Sequence, residues 1–267
     1  MARFKAYGPA GSNVTATAAT PATRTKPGLP PKQGLYDPRN EHDACGVGFV
    51  VNMKGVRSHQ IIRDGLFMLN NLTHRGAVGA DPLMGDGAGI LTQIPDRLFR
   101  EEMAASGIQL PAPGHYAVGH LFMPNDAELA AHIEGIIREV AHAEGQELIG
   151  FRDVPVDNSS LSKAPHIAAS EPVQRQVFIG RASSIETDEE YERRLYVLRK
   201  VISSRIHSET EGRDNGFYIV SMSARTIVYK GMFLAYQVED YYLDLSDKRF
   251  ESALALVHQR FSTNTFP

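Results

Sequence analysis

Glu41-His42-Asp43-Ala44-Cys45-Gly46-Val47-Gly48-Phe49-Val50-Val51 is the stretch on which the fold turns. From Gly46 onward it is apolar and β-branched enough for a buried strand. Cys45, the only cysteine of the chain, stands at the first position of that strand. A lone cysteine is usually a small buried hydrophobe. Here Gly46 and Gly48 leave the space beside it uncrowded, as attack on a substrate carbonyl requires. If the chain is cut between Ala44 and Cys45, the new α-amino group, with a reference pKa of roughly 7.7–8.0, belongs to the same residue as the thiol. It can take the thiol proton directly or through one water, so nucleophile and base share one covalent frame. In the uncut chain that nitrogen is an amide and has no basic lone pair.

Upstream of this stretch the first 36 residues contain no Asp or Glu and are rich in Ala, Thr, Pro and Gly. They lack the apolar segment of a secretory signal. Their composition reads as a disordered leader over residues 1–44, with a transit peptide as the alternative. Asn13-Val14-Thr15 matches a glycosylation sequon only by chance frequency. A single cysteine excludes an internal disulfide and fits a reducing, cytoplasmic setting. The net charge of −3 gives no basic field for nucleic acid or anionic membrane. No apolar run approaches the roughly 18 residues of a membrane span.

Downstream, Asn52-Met53-Lys54-Gly55 should turn the chain. Ile61, Ile62, Gly65, Leu66, Leu69 and Leu72 recur at helical spacing, with an end before Gly76. A strand over 90–94 follows the run Gly85-Asp86-Gly87-Ala88-Gly89 and stops at Pro95. Another strand is expected over 115–123. Asn125 or Asp126 caps a helix striped by Leu129, Ile133, Ile136, Ile137 and Val140 and stopped at Gly145. Strands near 147–154 and 175–181 flank a long loop over 155–172. Thr187 and Glu190 form a capping box for a helix through Leu195, Leu198, Ile202 and Ile206. Residues 217–222 and 226–229 suggest a hairpin, and 253–258 a final strand. Strand pairs close in sequence favour antiparallel sheets covered by helices, an α+β class.

Several chemistries lack support. The glycine run precedes a strand rather than a helix and has no Gly-Lys-Ser/Thr ending, so it reads as a packing turn and not a nucleotide loop. None of the ten histidines falls in an H-E-x-x-H spacing. No G-x-S-x-G elbow is present. At the other end, His258-Gln259-Arg260-Phe261-Ser262-Thr263-Asn264-Thr265-Phe266-Pro267 puts an Arg fork and hydroxyls just past a strand. That suits a bidentate carboxylate site, with Thr263 adding a hydroxyl, or equally a polar turn with an ordinary salt bridge.

The runs 41–48, Leu72-Thr73-His74-Arg75-Gly76-Ala77 followed by 85–89, and 258–267 closely resemble the glutamate synthase large-subunit family over roughly residues 35–267. The resemblance implies a class II glutamine amidotransferase domain over 45–267 with the N-terminal-nucleophile (Ntn) hydrolase fold. That fold is a four-layer αββα arrangement of stacked antiparallel sheets. It implies Cys45 as the nucleophile, a removable propeptide over 1–44, and Arg260 with Thr263 holding the α-carboxylate of glutamine. Arg75 lies in the family's His-Arg-Gly element beside the active site. An Asn-Gly oxyanion pair and a later Asp for the substrate amino group lie beyond Pro267 in that family. The domain is therefore expected to be C-terminally incomplete and nearly inactive alone. FMN, an iron–sulfur cluster, a downstream FMN synthase domain and a small reductase subunit are implied for regions outside this chain. No cofactor is implied within it, and one cysteine cannot hold a cluster. The alternatives are another class II acceptor chemistry (glucosamine-phosphate synthase, purine-pathway amidotransferase or asparagine synthetase) and a non-catalytic interaction domain of the same fold.

Overall fold

Val47–Val51 does form a strand, β1, but alternate residues rather than all of them are covered. Val47, Phe49 and Val51 are 49%, 68% and 48% exposed. The reason is its place at the edge of a sheet. The computed structural model, which describes residues 31–34, 37, 46–76, 78–79, 81–210 and 215–260, puts β1 outermost in a four-stranded sheet, here sheet I. Its order is β1, β8 (Leu254–Gln259), β2 (Ala88–Gln93), β7 (Thr226–Gly231), antiparallel throughout. The turn after β1 is made by Asn52, whose Oδ1 accepts from Lys54 N at 3.0 Å while its carbonyl accepts from Gly55 N at 2.9 Å.

Helix α1 (His59–Asn71) buries Ile61, Ile62, Gly65, Leu66 and Leu69, the stripe expected from their spacing. It lies over β8 and β1. Residues Ile90, Tyr229, Ala255 and Val257 share the covered side of sheet I and are fully buried. Each large side chain so buried contributes about 1.5–3 kcal/mol relative to exposure. A second helix, α2 (Asp96–Ala105), is not among the expected elements. Only Leu98, Phe99 and Met103 of its ten residues are buried, too sparse a stripe to stand out among five charged residues.

Sheet II has the order β4 (Glu147–Asp153), β5 (Val173–Gly180), β3 (Tyr116–Met123), β6 (Tyr218–Ser223), again antiparallel. One face carries Ala117, Leu121, Val177 and Ile179 against two helices, α3 (Ala127–Ala143) and α5 (Asp188–Glu209). Asp126 caps α3 by accepting from Glu128 N and Leu129 N, both at 2.9 Å. Thr187 caps α5 by accepting from Glu190 N at 3.2 Å. Helix α3 ends with Gln146 N donating to Ala141 O and Gly145 N to His142 O, which satisfies its last carbonyls. The loop expected over 155–172 contains a short helix, α4 (Pro165–Ser170), and α6 (Gln237–Tyr241) follows β7.

The hairpin expected from residues 217–229 does not form. β6 pairs with β3 in sheet II and β7 with β2 in sheet I, so the link at Ala224-Arg225 is a corner between sheets. The donors that a hairpin would satisfy across its strands go elsewhere. Ala224 N and Ser223 Oγ both donate to Glu192 Oε1 on α5, at 2.8 and 2.9 Å, and Ser223 Oγ accepts from Arg225 N. Antiparallel pairing holds, yet only β4 and β5 are neighbours both in sequence and in a sheet.

Where the two sheets meet, buried polar groups form two hydrogen-bonded sets. Arg152 grips Asp244 through two bonds of 2.8 and 2.9 Å, and Tyr229 OH donates to the same carboxylate at 2.9 Å. Gln176 Oε1 accepts from Arg152 and its Nε2 donates to Tyr229 OH. His120 contacts Val228 O and Gln174 Oε1 at 2.8 and 3.1 Å and is ringed by Phe122, Tyr229 and Tyr242. Burial, the dominant cause, lowers its pKa to about 4 despite those hydrogen bonds.

The chain divides into two compact units, Met1–Asp43 and Ala44–Pro267. Everything above belongs to the second. In the first, Lys32 and Asp37 pair at 3.2 Å. Most of the expected leader lies outside the described residues. Among the described residues no helix is long and apolar enough to cross a membrane.

Candidate active site

The antiparallel register brings one end of β1, β2, β7 and β8 together. Val47 faces His258, Gly89 faces both His258 and Lys230, and Ala88 faces Gln259. The signature runs read in the sequence converge there. Gln259 N donates to Gly46 O at 2.7 Å, which fixes the residue next to Cys45 against the end of β8. A side chain at position 46 could not fit, because its Cβ would stand 2.4 Å from Gln259 O. It would also approach Arg75 Cβ to 3.9 Å, so the His-Arg-Gly turn lies beside Gly46. That turn is a single 3-10 segment, Thr73–Arg75, which follows α1 directly. Thr73 Oγ1 donates to Asn70 O at 2.6 Å and binds it to the helix end.

Arg260 leaves β8 with φ +84°, the only positive φ of a non-glycine residue among the described residues. Such backbone costs about 1–3 kcal/mol and persists only where neighbours over-determine it. Two contacts do so. Arg260 N donates to Gly87 O at 2.7 Å, and its Nε pairs with Asp86 Oδ2 at 3.0 Å. Asp86 Oδ1 is buried and has no hydrogen-bond donor. The glycine run is therefore a packing turn, as expected, and also the support of Arg260. Its entry is wedged in place, since a Cβ at Gly85 would lie 2.2 Å from Phe233 O.

The structure thus brings Arg75 and Arg260 to the same corner as Gly46. Cys45 and Thr263 lie outside the described residues. Three residues of the corner were not singled out by the sequence. Asp86 sits in a glycine run whose partner is nearly 175 positions away, a pairing that only register reveals. Gln259 is buried, with Oε1 lacking a donor. His258 lies half-buried in the row Val47–His258–Gly89–Lys230, and burial, followed by the Lys230 charge, lowers its pKa. Among the described residues no group of three or more His, Cys, Asp or Glu could hold a metal ion.

What the corner offers is a guanidinium whose Nε is paired with Asp86, a second arginine, and the backbone of Gly46 held against β8. That set can orient a carboxylate next to a nucleophile. The family described as "Glutamine amidotransferases class-II" matches residues 45–267, starting at Cys45 itself. The chain is 46% identical over 239 residues to the glutamate synthase [NADPH] large chain of Bacillus subtilis, covering 90% of this chain and 15% of that one. It is 43% identical over 244 residues to the glutamate synthase [NADH] of Schizosaccharomyces pombe, covering 90% and 11%. With the glutamate synthase [NADPH] large chain of Azospirillum brasilense the identity is 40% over 235 residues, covering 87% and 15%. The chain therefore spans between 11% and 15% of the length of these curated relatives.

Proposed function

The chain belongs to the class II glutamine amidotransferases, and on that footing we propose that it is the glutaminase portion of a glutamate synthase. Residues 1–44 are removed, and Cys45 becomes the first residue of the working domain. Arg260, with Thr263, receives the α-carboxylate of glutamine, and Arg75 braces the corner. The α-amino group of Cys45 takes the thiol proton, and Sγ attacks the side-chain amide carbon. The tetrahedral intermediate collapses as the same amino group returns its proton to the departing ammonia. Water then cleaves the thioester and yields glutamate and the free thiol. The ammonia aminates 2-oxoglutarate in the downstream synthase region of the longer polypeptide. FMN and an iron–sulfur cluster, held by residues outside this chain, would supply the reduction there, with electrons from NADPH, NADH or ferredoxin, where a reductase subunit would be one route.

The observation that carries this reading is the hydrogen bond of 2.7 Å from Gln259 N to Gly46 O. It holds the neighbour of Cys45 one residue from Arg260, at the point where the family match begins. The test has two parts. Mass spectrometry of the protein from its native host should give a mature N-terminus at Cys45. In the complete polypeptide, Cys45→Ser should abolish glutamine hydrolysis while ammonia-dependent glutamate formation survives. An intact Ala44–Cys45 bond in the active protein would falsify the mechanism.

A further inference from the structure

Resting on the reading of Arg260 as the carboxylate receptor, we propose that Asp86 is the positioning residue that makes it one. The guanidinium has five N–H donors in a planar fork. Asp86 Oδ2 forms an ion pair with Nε at 3.0 Å. The two terminal nitrogens are left to form a parallel pair of bonds with an incoming carboxylate. The backbone enforces the same arrangement. Gly87, with φ +117°, turns its carbonyl onto Arg260 N at 2.7 Å, so side chain and main chain of the 85–87 turn hold one residue at two points.

The second oxygen of Asp86 supports this assignment. Oδ1 is buried and receives no hydrogen bond from the described residues, so none of them draws the carboxylate away from Arg260. A purely structural aspartate in a glycine turn would ordinarily fold back onto its own backbone N–H groups, as Asp81 and Asp157 do with Leu83 N and Ser159 N. Asp86 instead turns outward to the arginine. Its role is electrostatic and directional: it holds the fork in one orientation before substrate arrives, which reduces the ordering cost of binding. Asparagine at 86 keeps an acceptor for Nε but lacks the charge, and glutamate keeps the charge on a longer arm.

The experiment is glutamine hydrolysis by the complete polypeptide carrying Asp86→Asn, Asp86→Glu or Arg260→Lys. A parallel series uses 4-aminobutanamide, which has the reacting amide and the amine of glutamine but no α-carboxylate. Asp86→Asn should raise KM for glutamine at least tenfold with kcat within about threefold. Its KM for 4-aminobutanamide should match that of the unaltered protein, and Asp86→Glu should recover part of the loss. A structural defect would weaken both substrates alike. If Arg260→Lys raises KM for glutamine alone and Asp86→Asn changes neither substrate, the role of Asp86 is overturned while Arg260 stands. If Arg260→Lys affects both substrates equally, or neither, the carboxylate reading of Arg260 itself fails.

Discussion

His120 gives the fold an acid-sensitive point whose size can be worked out. Its ring is fully buried where the two sheets meet, between Tyr229, Tyr242 and Phe122. Asp244 and Arg152 are the charged groups that influence it. Burial drops its pKa from 6.5 to about 4, so between those values the unfolded chain binds a proton that the folded one refuses. The sign follows: stability is intact above pH 6.5 and is lost as pH falls towards 4. One unit of pKa is 1.36 kcal/mol, so at pH 5 the loss from this ring alone is about 2 kcal/mol, and about 3 by pH 4. Against a usual total of about 5–15 kcal/mol this is a substantial share. The assay is urea unfolding followed by circular dichroism from pH 8 to 5, on the natural sequence and on His120→Gln. All other titrations, including His258, cancel in the difference. The substitution should cost a fixed offset of about 1–3 kcal/mol above pH 7. Below pH 6.5 the gap should close by about 1.4 kcal/mol per unit. A difference that stays flat down to pH 5 would show that the ring is solvated or charged in the fold, and the reasoning would fail.

Other outcomes are as specific. Asp244→Asn leaves the Arg152 guanidinium buried, with only Glu102 at 3.8 Å as a charged neighbour. It should destabilise by about 3–5 kcal/mol in the same unfolding assay. Gly46→Ala must displace Gln259 O, so glutamine hydrolysis by the complete polypeptide should fall about 100-fold for a shift near 1 Å. Its melting temperature, read by calorimetry, should change by only a few degrees. Asp126→Ala removes the acceptor of two helix N–H groups and should cost about 1 kcal/mol, whereas Asp126→Asn should cost a few tenths.

Much of the architecture is legible because local rules agree with the tertiary result. The stripe of α1, the caps at Asp126 and Thr187 and the stop at Gly145 each depend on residues within one or two turns. What the sequence hides is non-local. β6 and β7 carry hairpin periodicity, but whether a two-residue link is a turn or a corner depends on Glu192, some thirty positions earlier in α5. α2 adds to its three buried side chains a long-range anchor, Tyr116 OH donating to Asp96, which no local spacing reveals. At the candidate site, Arg75 and Arg260 were readable as motifs. Asp86 was not, since its pairing with Arg260 exists only once β2 and β8 are side by side.

The pairing of β1 with β8 has a consequence in time. Val47 and His258 are partners separated by roughly 210 residues, and among the described residues β1 has no other strand beside it. At about 5–20 residues per second of synthesis, the first strand waits on the order of 10–40 s for its neighbour to be made. The order of manufacture thus leaves β1 without its partner until β8 has emerged, so an edge that is apolar and unpaired persists on the growing chain for that interval.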